Sequence, residues 1–179
     1  MKYLLLIIIS ISSLPCFGQA AKFIDLQVIG NINFKTRGLA TNDAGVGINL
    51  DAALFSTHKL QLLVEGSSAV FIGDKLLVTD SMERKAESAV IHSITAGLQY
   101  FISKKIAVSV LYGFNWHRIR AFEFTQDDGY KFCVTGFTGN KKRTLIQFFM
   151  VDVPRKEIDI RYFGIGIGYK FYQAAIVKK

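Results

Sequence analysis

Between residues 159 and 171 every second side chain is large and apolar (Phe163, Ile165, Ile167, Tyr169, Phe171), while Gly164, Gly166, Gly168 and Lys170 lie between them. A two-residue period is that of an extended strand, whose successive side chains leave opposite faces of the sheet. Three glycines in a row on one face make a poor solvent surface, since they neither aid solubility nor protect an edge. They suit a narrow interior, and the large face must then meet an apolar medium.

The same period recurs along the chain. In 23–34, Ile24, Leu26, Val28, Ile32 and Phe34 oppose Asp25, Gln27, Asn31 and Asn33. In 44–55, Val46, Ile48, Leu50, Ala52 and Leu54 oppose Gly45, Gly47, Asn49, Asp51 and Ala53. Segment 60–72 sets Leu60, Leu62, Val64, Val70 and Ile72 against Gln61, Glu65 and Ser67, with Leu63 and Phe71 intruding on the polar face. Segments 89–102 and 106–118 repeat the pattern. Segments 129–137 and 143–152 have strand composition but weak alternation, and the run Phe148-Phe149-Met150 leaves their faces unassigned. These segments predict eight strands, the even count that a closed up-and-down barrel needs to bring both chain ends to one side.

The connections carry a second pattern. Segments 56–59, 103–105 and 138–142 are short and polar; 35–43, 73–88, 121–128 and 153–158 are mostly longer, and 73–88 is the longest. Short turns at one end and longer loops at the other are the habit of membrane barrels. Half of the residues are hydrophobic, yet beyond residue 20 no apolar run is long enough for a spanning helix. The first twenty residues read as a secretory signal peptide: Lys2, the apolar stretch Tyr3–Ile11, the breakers Ser12, Ser13 and Pro15, and a small-residue exit at Gly18-Gln19-Ala20. The expected organisation is therefore a signal peptide at 1–20, a barrel at 21–172 and a short tail at 173–179. Removing the signal takes away Lys2 and no acid, so the net charge falls by one from +8. It leaves Cys133 as the single cysteine, which excludes an internal disulfide and a cysteine-built metal site.

Which face is wet decides the class. A soluble carrier barrel turns apolar residues inward and charge outward, whereas a membrane barrel does the reverse. Here the non-apolar face is mostly Gly, Ala, Ser, Thr, Asn and Gln, with isolated Asp25, Asp51 and Glu65. Aromatic residues gather near strand ends, with Phe23, Phe55, Tyr100, Phe101, Tyr169 and Phe171 toward one side and Phe34, Trp116, Phe122 and Tyr130 toward the other. Such girdles suit the headgroup boundary. The fold expected is an all-β, eight-stranded antiparallel up-and-down transmembrane β-barrel.

The run GIGIGYKF at 164–171, the SKK turn at 103–105 and the strand count resemble the small eight-stranded outer-membrane β-barrel proteins of Gram-negative bacteria. That group includes the OmpA transmembrane domain and OmpX-like barrels, and the resemblance covers 21–172. It implies an outer-membrane location among lipid and lipopolysaccharide, and insertion by the barrel-assembly machinery. It also implies a terminal aromatic assembly signal, which Phe171 and Tyr172 match, although QAAIVKK follows them.

Parity turns Asp25, Asp51 and Glu65 inward, with Lys170 and Arg161 as available partners; these five are the candidate interior ion-pair plug, because unpaired buried charge is costly. Arg84, Lys85, Arg118, Arg120, Arg155 and Lys156 are the candidate lipopolysaccharide contacts, since Arg and Lys bind phosphate well. Loop 73–88 is the candidate site for a protein partner. Catalysis is not expected: Ser88 and His92 share a face but sit about 13 Å apart along an extended strand, beyond hydrogen-bond reach. No cofactor or metal is expected. Nucleic acid is not expected either, because no basic face carries interleaved aromatics. The expected role is structural or loop-mediated, in a barrel that is not a wide pore. The alternatives are a soluble periplasmic lipocalin-like barrel holding an apolar ligand, and a lipid A-modifying barrel enzyme.

Overall fold

The computed structural model describes residues 25–38, 42–56, 59–73, 76–79, 82–85, 88–118, 125–139, 143–155 and 159–173. Residues 1–24, Phe122, Arg120, Lys156 and the tail beyond 173 lie outside these, as do His58, Lys141 and Lys142. The described residues form ten strands: β1 (Asp25–Arg37), β2 (Asn42–Ser56), β3 (Leu60–Gly73), β4 (Leu76–Thr79), β5 (Met82–Lys85), β6 (Ala89–Phe101), β7 (Ile106–Arg118), β8 (Thr125–Thr138), β9 (Thr144–Val153) and β10 (Ile160–Gln173). Eight close into an antiparallel barrel in the order β1-β10-β9-β8-β7-β6-β3-β2, and β4 pairs with β5 as a separate hairpin inside the longest connection.

The strands run further into the connections than their alternation suggests. β1 and β2 extend to Arg37 and from Asn42, so the expected long segment 35–43 is mostly strand; β8 likewise begins at Thr125, inside the expected loop 121–128. Backbone pairing continues past the apolar belt, where side chains no longer need to alternate. At the other end the turn at Ser103 is held by its hydroxyl, which accepts from the backbone N–H groups of Lys105 and Ile106.

The burial pattern inverts that of a soluble barrel. Ile48, Leu50, Ile94, Leu98, Val110, Val134, Phe148, Ile165 and Ile167 are exposed on the outer wall, while Asn33, Asn49, Asp51, Glu65, Thr95, Gln99, Asn115 and Gln147 are buried within. An outer apolar face of this breadth, encircling a polar interior, is that of a barrel built for hydrocarbon. Outward rings cluster as expected for a girdle, with Phe34 stacked on Phe163 at 5.3 Å between centroids and Tyr112 against Tyr130 at 5.0 Å. Phe101 departs from the girdle: it stacks on Phe137 at 5.8 Å and packs against the buried cluster of Ile29, Ala107, Phe137 and Leu145 near the short turns.

The interior is layered rather than uniformly polar. A second apolar cluster, including Phe71, Ala89, Ile91, Phe149, Val151, Val153, Ile160 and Tyr162, fills the region toward the long connections. Phe71 is thus an interior packing residue, as is Leu63 in a third cluster with Ala53 and Leu111, and the weak alternation of β9 follows because Leu145, Phe149, Val151 and Val153 point inward. The glycines of β10 face an interior with no room for a side chain. A Cβ on Gly166 would lie 2.5 Å from Ile29 Cγ2 and one on Gly168 2.7 Å from Ile29 Cγ1, distances that real side chains do not adopt.

Candidate functional site

The barrel waist holds a cluster of buried charge. Glu65 on β3 and Asp51 on β2 are register partners, so their side chains leave the same inner face. From the opposite wall Lys131 of β8 reaches both Glu65 carboxylate oxygens at 2.6 Å. Glu65, Asp51 and Lys131 are 1%, 2% and 3% exposed. Lys131 Nζ also lies 4.3 Å from the centroid of the Phe149 ring, a cation–π contact strengthened by desolvation. The Asn49 amide, oriented with its oxygen toward Lys131, accepts from Nζ at 2.9 Å. Asp51 Oδ2 accepts from Gln27 Nε2 at 2.8 Å, whereas its buried Oδ1 meets no donor. A cavity of about 10 Å³ beside Glu65 and Lys131, lined also by Ser93, Thr95 and Asn115, has room for roughly one water.

A second interior pair sits toward the chain ends, where Lys170 Nζ is 2.5 Å from Asp25 Oδ2. Of the five interior candidates, Asp25 and Lys170 meet each other, Glu65 meets Lys131, and Asp51 stands beside Glu65 in register. Arg161 is not in the interior. It falls on the outward parity of β10 opposite Asp152 of β9, and the two pair at 2.6 Å at the rim with the Arg161 side chain 41% exposed. Lys131 is the interior cation that sequence reasoning missed. The signal was present, because Lys131 alternates with the outward Tyr130 and Phe132 and shares its face with Cys133 and Thr135.

At the end bearing the long connections the charges are knitted together. Arg155 Nε lies 3.2 Å from Asp127 Oδ2, His117 Nε2 lies 3.6 Å from the same oxygen, and Asp159 meets Arg37 at 3.4 Å. Among the lipopolysaccharide candidates, Arg155 is thus engaged by a carboxylate, and Arg118 ends β7 on the exposed side. Arg84 and Lys85 lie on β5 of the hairpin, in the connection expected to meet a partner. His92 faces outward in register with Ser68 and Trp116, so neither register neighbour is a carboxylate that could orient it for nucleophilic chemistry. Phe171 and Tyr172 both face outward, at 51% and 49% exposure. A register shift makes this possible: Leu26 pairs with Tyr172 and Gln27 with Lys170, leaving Phe171 as the extra residue of a bulge.

Eight antiparallel strands, an apolar exterior and a packed polar waist define the fold of the small outer-membrane β-barrels. Solved structures of this fold agree. The chain is similar to Ail, the attachment invasion locus protein of Yersinia pestis (TM-score 0.52, 12% identity, 84% of this chain and 99% of that one). A second Ail structure is a complex with the heparin analogue sucrose octasulfate (TM-score 0.51, 10% identity, 83% and 98%). Neisserial surface protein A matches with a TM-score of 0.57 at 14% identity over 85% of this chain and 99% of that one. The outer membrane protein OprG from Pseudomonas aeruginosa matches with 0.54 at 11% identity over 87% and 98%. No family model matches the sequence, and no curated protein matches it.

Proposed function

We propose that the protein is exported by residues 1–20 and resides in the outer membrane as a sealed barrel whose role is structural or exercised through its long connections. The observation that carries the sealed reading is the Glu65–Lys131 contact across the waist, where the adjoining cavity has room for about one water. The pairs Asp25–Lys170 and Glu65–Lys131, with Asp51 beside the second, act as the plug, and the apolar layers on either side leave little for water to follow. Purified protein in planar bilayers is expected to give no steady single-channel currents; reproducible openings would overturn the plug. Membrane residence is tested by fractionation, with the protein expected to stay in the pellet after carbonate or urea washing. A soluble ligand carrier would be released, and the outward apolar face already argues against it.

The cationic side chains Arg84, Lys85, Arg118, Arg120, Arg155 and Lys156 are the groups proposed to meet lipopolysaccharide phosphates. The Ail complex with a polysulfated ligand supports anion recognition by a barrel of this fold. Neutralising them together should weaken lipopolysaccharide binding; unchanged binding rejects the assignment. Loop 73–88, with its β4–β5 hairpin, is proposed as the partner-binding element, and Phe171 with Tyr172 as the signal read by the barrel-assembly machinery.

A further inference from the structure

We propose that Asp51 and Glu65 hold one proton between them in the folded barrel, which makes the buried waist cluster a neutral, proton-binding site. The donors count out this way. Lys131 has three N–H groups; two go to the Glu65 oxygens at 2.6 Å and the third to Asn49 Oδ1 at 2.9 Å. Gln27 supplies Asp51 Oδ2 at 2.8 Å, and no donor reaches the buried Oδ1. Asp51 and Glu65 are register partners on neighbouring strands, their side chains leave the same inner face, and both are buried. Two ionised carboxylates are acceptors only and repel each other side by side, so a hydrogen on one of them is what lets the pair share this face and gives Oδ1 a use. Charge leads to the same place: two acids and one lysine, all nearly sealed from water, would leave an uncompensated negative charge in a low-dielectric interior. Among the described residues, the other titratable groups buried toward the cluster are Cys133 of β8 and Tyr162 of β10, both neutral in their ordinary state, while Asp25 and Lys170 compensate each other. One proton, shared across the carboxyl pair, completes both the hydrogen-bond inventory and the charge.

The test is infrared spectroscopy of the mature chain refolded into phosphatidylcholine vesicles at neutral pH, in water and in heavy water. The native barrel is expected to show the carbonyl band of a protonated carboxylic acid. Asp51→Asn and Glu65→Gln should each abolish it, because either leaves Lys131 a single carboxylate partner; Asp25→Asn should retain it. Absence of the band in the native protein, or its survival in either variant, overturns the proposal, and so would a bound sodium or potassium ion taking the proton's place. If the variants fail to insert, proton uptake on folding of the native chain from urea decides the matter. About one proton per chain is expected in weak buffer at neutral pH, and zero uptake rejects it.

Discussion

Replacing Lys131 by Met isolates the energetic weight of the waist. The methionine keeps most of the unbranched stem, so cavity formation adds little, although the ammonium's place over the Phe149 ring goes with it. What disappears is the ammonium that touches both oxygens of Glu65 at 2.6 Å, at a site where Glu65 is 1% exposed. Removing one partner of a buried pair leaves a desolvated charge and costs about 3–5 kcal/mol. That is roughly two to three and a half orders of magnitude in the folding equilibrium. Removing both charges is different: Lys131→Met combined with Glu65→Gln leaves neutral groups of similar volume, with Asp51 carrying the proton as the one remaining acid of the cluster, and should fall within about 1–2 kcal/mol of the native barrel. The assay is reversible urea unfolding in vesicles, followed by fluorescence of the single tryptophan, Trp116, and by heat-modifiable gel migration. Acidification, which neutralises the stranded carboxylate, should restore part of the loss in the single variant. A Lys131→Met barrel within about 1 kcal/mol of native, or a double variant as weak as the single, would refute the reasoning, because neither is compatible with a desolvated pair.

Other substitutions separate the two faces of the wall. Ile48→Lys on the outer belt, where Ile48 is 54% exposed, should cost about 2–4 kcal/mol in lipid, measured by the same unfolding titration. Gly166→Val forces a side chain into Ile29 and should cost about 1–3 kcal/mol or prevent closure, read as loss of the heat-modifiable band. Arg155→Ala removes a rim pair with Asp127 at 3.2 Å that water screens, and should change stability by less than about 1 kcal/mol. Phe171→Ala with Tyr172→Ala is expected to slow assembly into native membranes, scored by pulse-chase protease protection, with little effect on the sealed interior.

The architecture was legible because lipid imposes a simple rule on each strand. Opposed faces in β1, β2, β3, β6, β7 and β10 separate large from small or polar, and the structure keeps the large outer face while adding inward bulk at single positions such as Phe71, Ile91 and Leu111. In β8 and β9 the rule blurs because the inner wall also buries bulk, with Phe137, Phe149, Val151 and Val153 packing the barrel ends, so both faces look apolar. The interior acids could be read from parity one strand at a time. Their partners could not: Glu65 and Lys131 are 66 residues apart, and only the closed strand order brings them face to face. Arg161 failed for a related reason, since it lies where β10 leaves the belt and an outward charge can find Asp152 and water.

The cross-wall placement of the charges bears on how such a chain can enter a bilayer at all. Glu65 stands on β3 and Lys131 on β8, with β6 and β7 between them in the wall, and Asp25 and Lys170 meet only where the first and last barrel strands join. A flat or half-curled sheet pushed into hydrocarbon would carry each of these charges without its counterion, at several kcal/mol apiece. Such an intermediate is held at the interface until the ends can meet. On that energetic ground curling and insertion would be coupled, since only the rolled-up chain pairs each of these charges.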